Sequence, residues 1–175
     1  MSTIKKGEAH VAARARLMIQ LGEQLISDEI AAVSELVKNS YDADATRVEL
    51  TLTNVSETEG GFITISDNGH GMTLEKVLSS WLELGTLSKA RKKGVIPRVS
   101  ESGRRICLGE KGLGRLSVHK LGYVTELVTR RINESVETKL TLDWAEFEQN
   151  EGFIEEIPVS WEVTEPRVFK DFGSS

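Results

Sequence analysis

Three short stretches of this 175-residue chain place acids, amides and glycines at spacings that could do chemistry. In the first, Ser34-Glu35-Leu36-Val37-Lys38-Asn39-Ser40-Tyr41-Asp42, a carboxylate and an amide stand four residues apart, with Asp42 beyond them. On a helix that spacing puts Glu35 and Asn39 on one face, where they could act on a common ligand. In the second, Ile65-Ser66-Asp67-Asn68-Gly69-His70-Gly71-Met72, an acid closes an apolar run and two glycines follow. The glycines let backbone approach a planar ligand closely while the Asp67 carboxylate accepts a hydrogen bond. In the third, Gly109-Glu110-Lys111-Gly112-Leu113-Gly114-Arg115-Leu116-Ser117, clustered glycines precede a helical pattern. Their backbone N–H groups can meet a phosphate at the positive end of a helix dipole. This run is not a Walker A loop, for want of Gly-Lys-Ser/Thr after the four-residue spacer, nor a dinucleotide fingerprint, since no strand leads into it. Singly, each stretch also fits something ordinary: a solvated helix face, an Asp-Asn-Gly turn, a flexible hinge.

Elements to position these groups are legible in the apolar spacing. Val11, Ala12, Ala15, Leu17, Met18 and Leu21 predict a helix over 8–25, and a second helix is expected over about 27–42. Ser27 or Asp28 can cap the second, and Ile30, Val33, Leu36 and Val37 form its expected buried stripe. Residues 47–53 alternate polar and apolar, which predicts a strand with one buried face; Gly60-Gly61 turns the chain into a second strand over 62–66. Thr73 can cap a helix over 74–84. Segment 85–113 holds Gly85, Gly94, Pro97, Gly103, Gly109 and Gly112 and reads as irregular, mobile chain. A short helix over 115–121 and strands over 123–131 and 135–142, joined at Asn133, complete the pattern. Helices before and between paired strands predict a two-layer α/β sandwich.

Composition bounds what such a chain can be. Hydrophobic residues make up 39% and charged residues 28%, ordinary for a soluble protein of one domain. No apolar run approaches a bilayer-spanning length and no signal core opens the chain, so a cytoplasmic location is expected. The single cysteine, Cys107, excludes an internal disulfide and cannot build a zinc site alone. A net charge of -5 argues against a general nucleic-acid coat, yet 86–108 holds seven Lys or Arg against one acid, Glu101. Such a segment suits a solvated loop, a nucleic-acid contact, or a lid over an anionic ligand.

The order of the three stretches resembles the nucleotide-binding (Bergerat) fold of the GHKL ATPase superfamily: a Glu-x-x-x-Asn helix, Asp-x-Gly-x-Gly after a strand, then a basic loop ending in Gly-x-x-Gly-x-Gly. Residues 35–46 are similar to the MutL and MORC form of the first motif, and Leu84-Gly85-Thr86-Leu87-Ser88-Lys89 to the start of the chaperone lid. The resemblance covers roughly residues 30 to 117. It implies a mixed, largely antiparallel sheet covered by helices on one face, in one domain over 1–175 that is the N-terminal piece of a larger protein. It also implies ATP and Mg²⁺ as ligands. Glu35 would be the base that deprotonates the water attacking the γ-phosphate, and Asn39 would coordinate Mg²⁺. Asp67 would accept from the adenine amino group, with Gly71 admitting the ring and Met72 covering it. Gly112 and Gly114 would present N–H groups to the phosphates and Lys89 a positive charge, while Asp42, Gly69, Thr86, Lys111 and Leu113 would line the site. Segment 85–113 would be the ATP lid, which accounts for its charge. The final loop is closer to gyrase or kinase forms, and no Gly-Thr pair follows Ser117, where GHKL proteins usually contact adenine through water.

The implied activity is ATP hydrolysis driving lid closure and dimerisation, slow in this domain alone because GHKL relatives commonly supply a phosphate-contacting Lys or Arg from the next domain. Two alternatives compete: a histidine-kinase-type domain passing phosphate to a partner protein, and a nucleic-acid-binding module using the basic segment. Glu35 favours the hydrolase, which needs a base for water. Partners are expected to be ATP or ADP and a second copy of the full-length protein, with nucleic acid or a client protein open and no membrane. His70, His119 and the three tryptophans read as structural.

Overall fold

Local capping and pairing define the elements of the computed structural model, which describes residues 7–56, 60–83, 98–109 and 114–170. Helix α1 is Leu17–Leu25 and α2 is Glu29–Asp42. The α2 cap is Asp28, whose carboxylate accepts from the Ala31 amide at 2.8 Å. Strands β1 (Val48–Thr53) and β2 (Phe62–Asp67) pair antiparallel, with Leu50 opposite Ile65 and Leu52 opposite Ile63. Helix α3 (Leu74–Lys76), capped by the Thr73 hydroxyl at 3.1 Å, runs straight into a π-helical turn, Val77–Trp81. A 3₁₀ turn over Gly114–Lys120 leads to β3 (Val124–Thr129) and β4 (Glu137–Asp143). Helix α4 (Trp144–Gln149), a short 3₁₀ turn (Ile154–Glu156) and β5 (Ser160–Thr164) follow. The second sheet has the order β3-β4-β5, all antiparallel.

The molecule is the expected mixture of helices and antiparallel strands. Among the described residues the strands form two sheets, of two and three strands, and every pairing is antiparallel. Leu116, Val118, Leu140, Leu142, Trp144, Phe147, Val77, Met18, Ala15 and Ile157 make the core. Both α1 and α2 pack on the 3₁₀ turn, so the residues after Gly114 lie between helices and sheet. Trp144 anchors this centre, donating from its indole N–H to Thr125 Oγ1 at 2.9 Å and standing edge-on to His119 with ring centroids 6.0 Å apart.

Several expectations shift. Residues 7–13 are not helical, and Arg14 instead bridges Phe153, its guanidinium lying 4.5 Å over that ring. The inward row of α2 is Ala32, Leu36 and Ser40, four residues apart, with Ala32 and Ser40 buried and Leu36 half-buried, whereas Ile30 is 80% exposed. Strand β1 turns Leu50 and Leu52 outward, 47% and 57% exposed, because the core forms on the other sheet. Within the segment read as irregular, residues 98–109 form a small hairpin: Val99 bridges Ile106, Cys107 N–H donates to Arg98 O at 2.8 Å, and Gly103 turns the chain at φ +72. No helix among the described residues is long and apolar enough to cross a membrane.

Candidate active site

Helix α2 presents Glu35 and Asn39 one turn apart, with the Asn39 side chain exposed. Glu35 Oε1 receives Lys38 Nζ at 2.6 Å, and their side chains are 29% and 43% exposed. A pair so open to water contributes less than about 1 kcal/mol, so it orients the carboxylate without locking it. The other side of Glu35 lies against Gly114: a Cβ built on that glycine would meet Glu35 Oε2 at 2.8 Å and Glu35 Cβ at 3.3 Å. The last glycine of the third motif thus touches the acid of the first.

At the far end of α2, the buried Ser40 hydroxyl donates to Asp67 Oδ2 at 2.9 Å, and the Gly69 amide donates to Asp67 Oδ1 at 2.8 Å. Each carboxylate oxygen is oriented by one donor and keeps a lone pair for another. Asn68 secures the same corner, its Oδ1 accepting from the Thr46 and Arg47 amides, both at 2.8 Å. A side chain at Gly69 would meet Ala43 O at 2.7 Å, and one at Gly71, where φ is +64, would meet Arg130 O at 1.9 Å. Met72 N–H donates to the buried Thr129 hydroxyl at 2.9 Å, which ties the second motif to β3.

Asp42 has a structural task. Its Oδ1 accepts from the Leu108 amide at 2.7 Å, and its Oδ2 from Gly109 N at 3.1 Å and Arg98 at 2.8 Å. It therefore fastens the hairpin to the tip of α2 instead of offering a free carboxylate. Asp44 does likewise, accepting from the Ser102 amide at 2.8 Å and hydroxyl at 2.7 Å. Arg105 lies 4.7 Å over the Tyr41 ring and donates to Ala45 O at 2.7 Å. At the hairpin turn, Glu101 pairs with Arg131 and stands 3.6 Å from His70 Nε2. The Arg131 guanidinium holds the Glu101 carboxyl below its usual range.

The Ser100 hydroxyl and then the Ser102 amide hold the Asp44 carboxyl down at about 2, from an ordinary 3.8. A carboxyl depressed by folding contributes stability that is complete above its free value and lost as pH falls through its folded one. Hydrogen-exchange protection of the Ser102 and Cys107 amides is therefore expected to persist down to about pH 4 and to fail between there and about pH 2. Protection already lost near about pH 6 would assign the fastening to another group.

Glu35 and Gly114 thus meet directly, and Asp67, Gly69, Gly71 and Met72 form one corner beside the end of α2. Thr86, Lys89, Lys111, Gly112 and Leu113 lie outside the described residues. Sequence reasoning missed Ser40, Thr129 and Lys38. Ser40 and Thr129 show themselves only through tertiary pairing, with Asp67 and with Met72. Among the described residues no group of three or more His, Cys, Asp or Glu could hold a metal ion. An exposed amide such as Asn39, completed by ligand oxygens and water, suits Mg²⁺ without such a cluster.

Residues 27–172 match the family described as histidine kinase-, DNA gyrase B- and HSP90-like ATPase, and the chain belongs to that family. It is 32% identical over 122 residues to the DNA mismatch repair protein MutL of Desulforamulus reducens, covering 69% of this chain and 17% of that protein. It is 33% identical over 107 residues to a Herpetosiphon aurantiacus protein provisionally named the type II restriction enzyme HgiDII, covering 61% and 16%. The Chaperone protein HtpG of Azorhizobium caulinodans is 26% identical over 143 residues, covering 71% and 21%. The chain thus spans only about a sixth to a fifth of the length of these relatives.

Proposed function

We propose that this chain binds ATP with Mg²⁺ and hydrolyses it, and that the cycle drives a conformational switch, closure and dimerisation, in a longer protein. The observation that carries this reading is the placement of Glu35 and Asn39 on one face of α2, with Gly114 against Glu35 and the oriented Asp67 carboxylate at the same helix's end. In this reading Asp67 accepts from the adenine amino group, Gly71 leaves room for the ring and Met72 covers it. Asn39 supplies one oxygen to Mg²⁺, which neutralises triphosphate charge when bound. Glu35 takes the proton of the attacking water as the bond to the γ-phosphorus forms and ADP departs. By the family resemblance, Gly112 and Gly114 would present N–H groups to the phosphates and Lys89 a positive charge, with Thr86, Lys111 and Leu113 among the other nucleotide-binding residues. Glu35 favours hydrolysis over transfer to a partner histidine, because an acceptor that supplies its own nucleophile needs no base for water.

Asp67→Asn tests nucleotide recognition. Both Asp67 oxygens already face donors, so one donor must confront the new NH₂ group, and the adenine amino group loses its charged acceptor. A hydrogen bond to a charged group contributes about 1.5–3 kcal/mol, so calorimetry of ADP binding should show affinity about 10- to 100-fold weaker. Equal affinity in variant and wild type would remove Asp67 from the site.

A further inference from the structure

Arg115 follows Gly114 directly and is 7% exposed. A buried guanidinium usually faces a carboxylate. This one donates through Nη1 to the carbonyls of Ser80 and Trp81, and none of the ion pairs among the described residues involves it. Burial alone pulls its pKa down. The two carbonyls end the π-helical turn Val77–Trp81, where helix oxygens lack partners and a cation is favoured by the dipole. Val77 at the head of that turn is fully buried, so the carbonyls stand on a fixed part of the core.

The other side of this arrangement is Gly114, whose Cα lies against Glu35. The Ser117 hydroxyl donates to Gly114 O at 2.5 Å, and Leu116 and Ser117 are almost wholly buried. Gly114 is thus held from one side by its own turn and from the other by a side chain bonded to the core.

We infer that Arg115 is a positioning residue for hydrolysis: its grip on Ser80 and Trp81 keeps Gly114 seated on Glu35, so that the carboxylate is confined between Gly114 and Lys38 in the orientation that accepts the proton. This rests on the hydrolase reading of Glu35. Misplacement of a catalytic group by an ångström costs about 10²-fold in rate, whereas in the same reading ADP is held mainly by Asp67 at the end of β2 and by Asn39 on α2.

The test is a double-mutant cycle in the full-length protein, using Arg115→Lys and Arg115→Met with Glu35→Ala. Lys keeps the charge but not the planar guanidinium and should preserve the fold; Met keeps an apolar stem and no donor. Turnover should fall about 10-fold in Arg115→Lys and up to about 100-fold in Arg115→Met, with the affinity for ADP within about threefold of wild type. In the Glu35→Ala background neither change should lower the residual rate further, because Arg115 acts through Glu35. Arg115→Lys decides the matter if Arg115→Met does not fold. Wild-type turnover in Arg115→Lys, or the same loss with and without Glu35, would overturn the inference. Full turnover in Glu35→Ala alone would instead overturn the hydrolase reading.

Discussion

Glu35→Ala in the full-length protein is expected to lose ATP turnover by about 10²- to 10⁴-fold while keeping its nucleotide affinity. The carboxylate meets the attacking water, not the nucleotide, so its interaction develops mainly in the transition state. The local structure agrees with a clean substitution: the pair with Lys38 is only half-buried, and removing the acid leaves Lys38 partly in water. Asn39→Ala should behave differently, losing Mg²⁺-dependent binding along with turnover. Steady-state phosphate release and calorimetry on both variants separate the roles. Wild-type turnover in Glu35→Ala would show that Glu35 is only part of a solvated face.

Gly71→Ala is expected to lower the melting temperature sharply and to abolish nucleotide binding. At φ +64 a non-glycine residue costs about 1–3 kcal/mol, and a Cβ 1.9 Å from Arg130 O forces β3's end to shift, at about 1–3 kcal/mol more. Against a typical stability of about 5–15 kcal/mol that is a large fraction. Gly103→Ala is the control, since its φ of +72 carries the same backbone strain with nothing within 4 Å of the new carbon. Gly71→Ala melting no lower than Gly103→Ala would show that β3 yields freely and that the contact does not define the site.

How far the sequence foretold this molecule depended on the range of the forces involved. The start of α2, the β1 and β2 strands and the Thr73 cap were legible because caps, period-two alternation and turns act within a few residues. The 98–109 hairpin was not, because its Arg98 and Arg105 are met by Asp42 and Tyr41, and its Glu101 by Arg131, across long stretches of chain. Residues 7–13 carried a helical pattern, but pairing of Arg14 with Phe153 overrode it. Helix α4 and β5 went unread: one has six residues and the other five, too few to show a period. In the site, Glu35, Asp67 and Gly71 stood out by type and spacing. Ser40 and Arg115 did not, since a serine on a helix and an arginine beside glycines announce nothing until their partners are known.

The fastening of the hairpin to the tip of α2 has a consequence for the order of folding. The contacts of Asp42 with Arg98 and Leu108, and of Asp44 with Ser102, close loops of 56, 66 and 58 residues. Closing a loop of that size costs about 3–4 kcal/mol of chain entropy, far more than one exposed hydrogen bond returns. The first of these contacts cannot hold alone, but once the loop is closed the others form at almost no further entropic cost. The hairpin should therefore dock in one late, cooperative step, after β1 and β2 have paired across their short turn and shortened the path between its two ends.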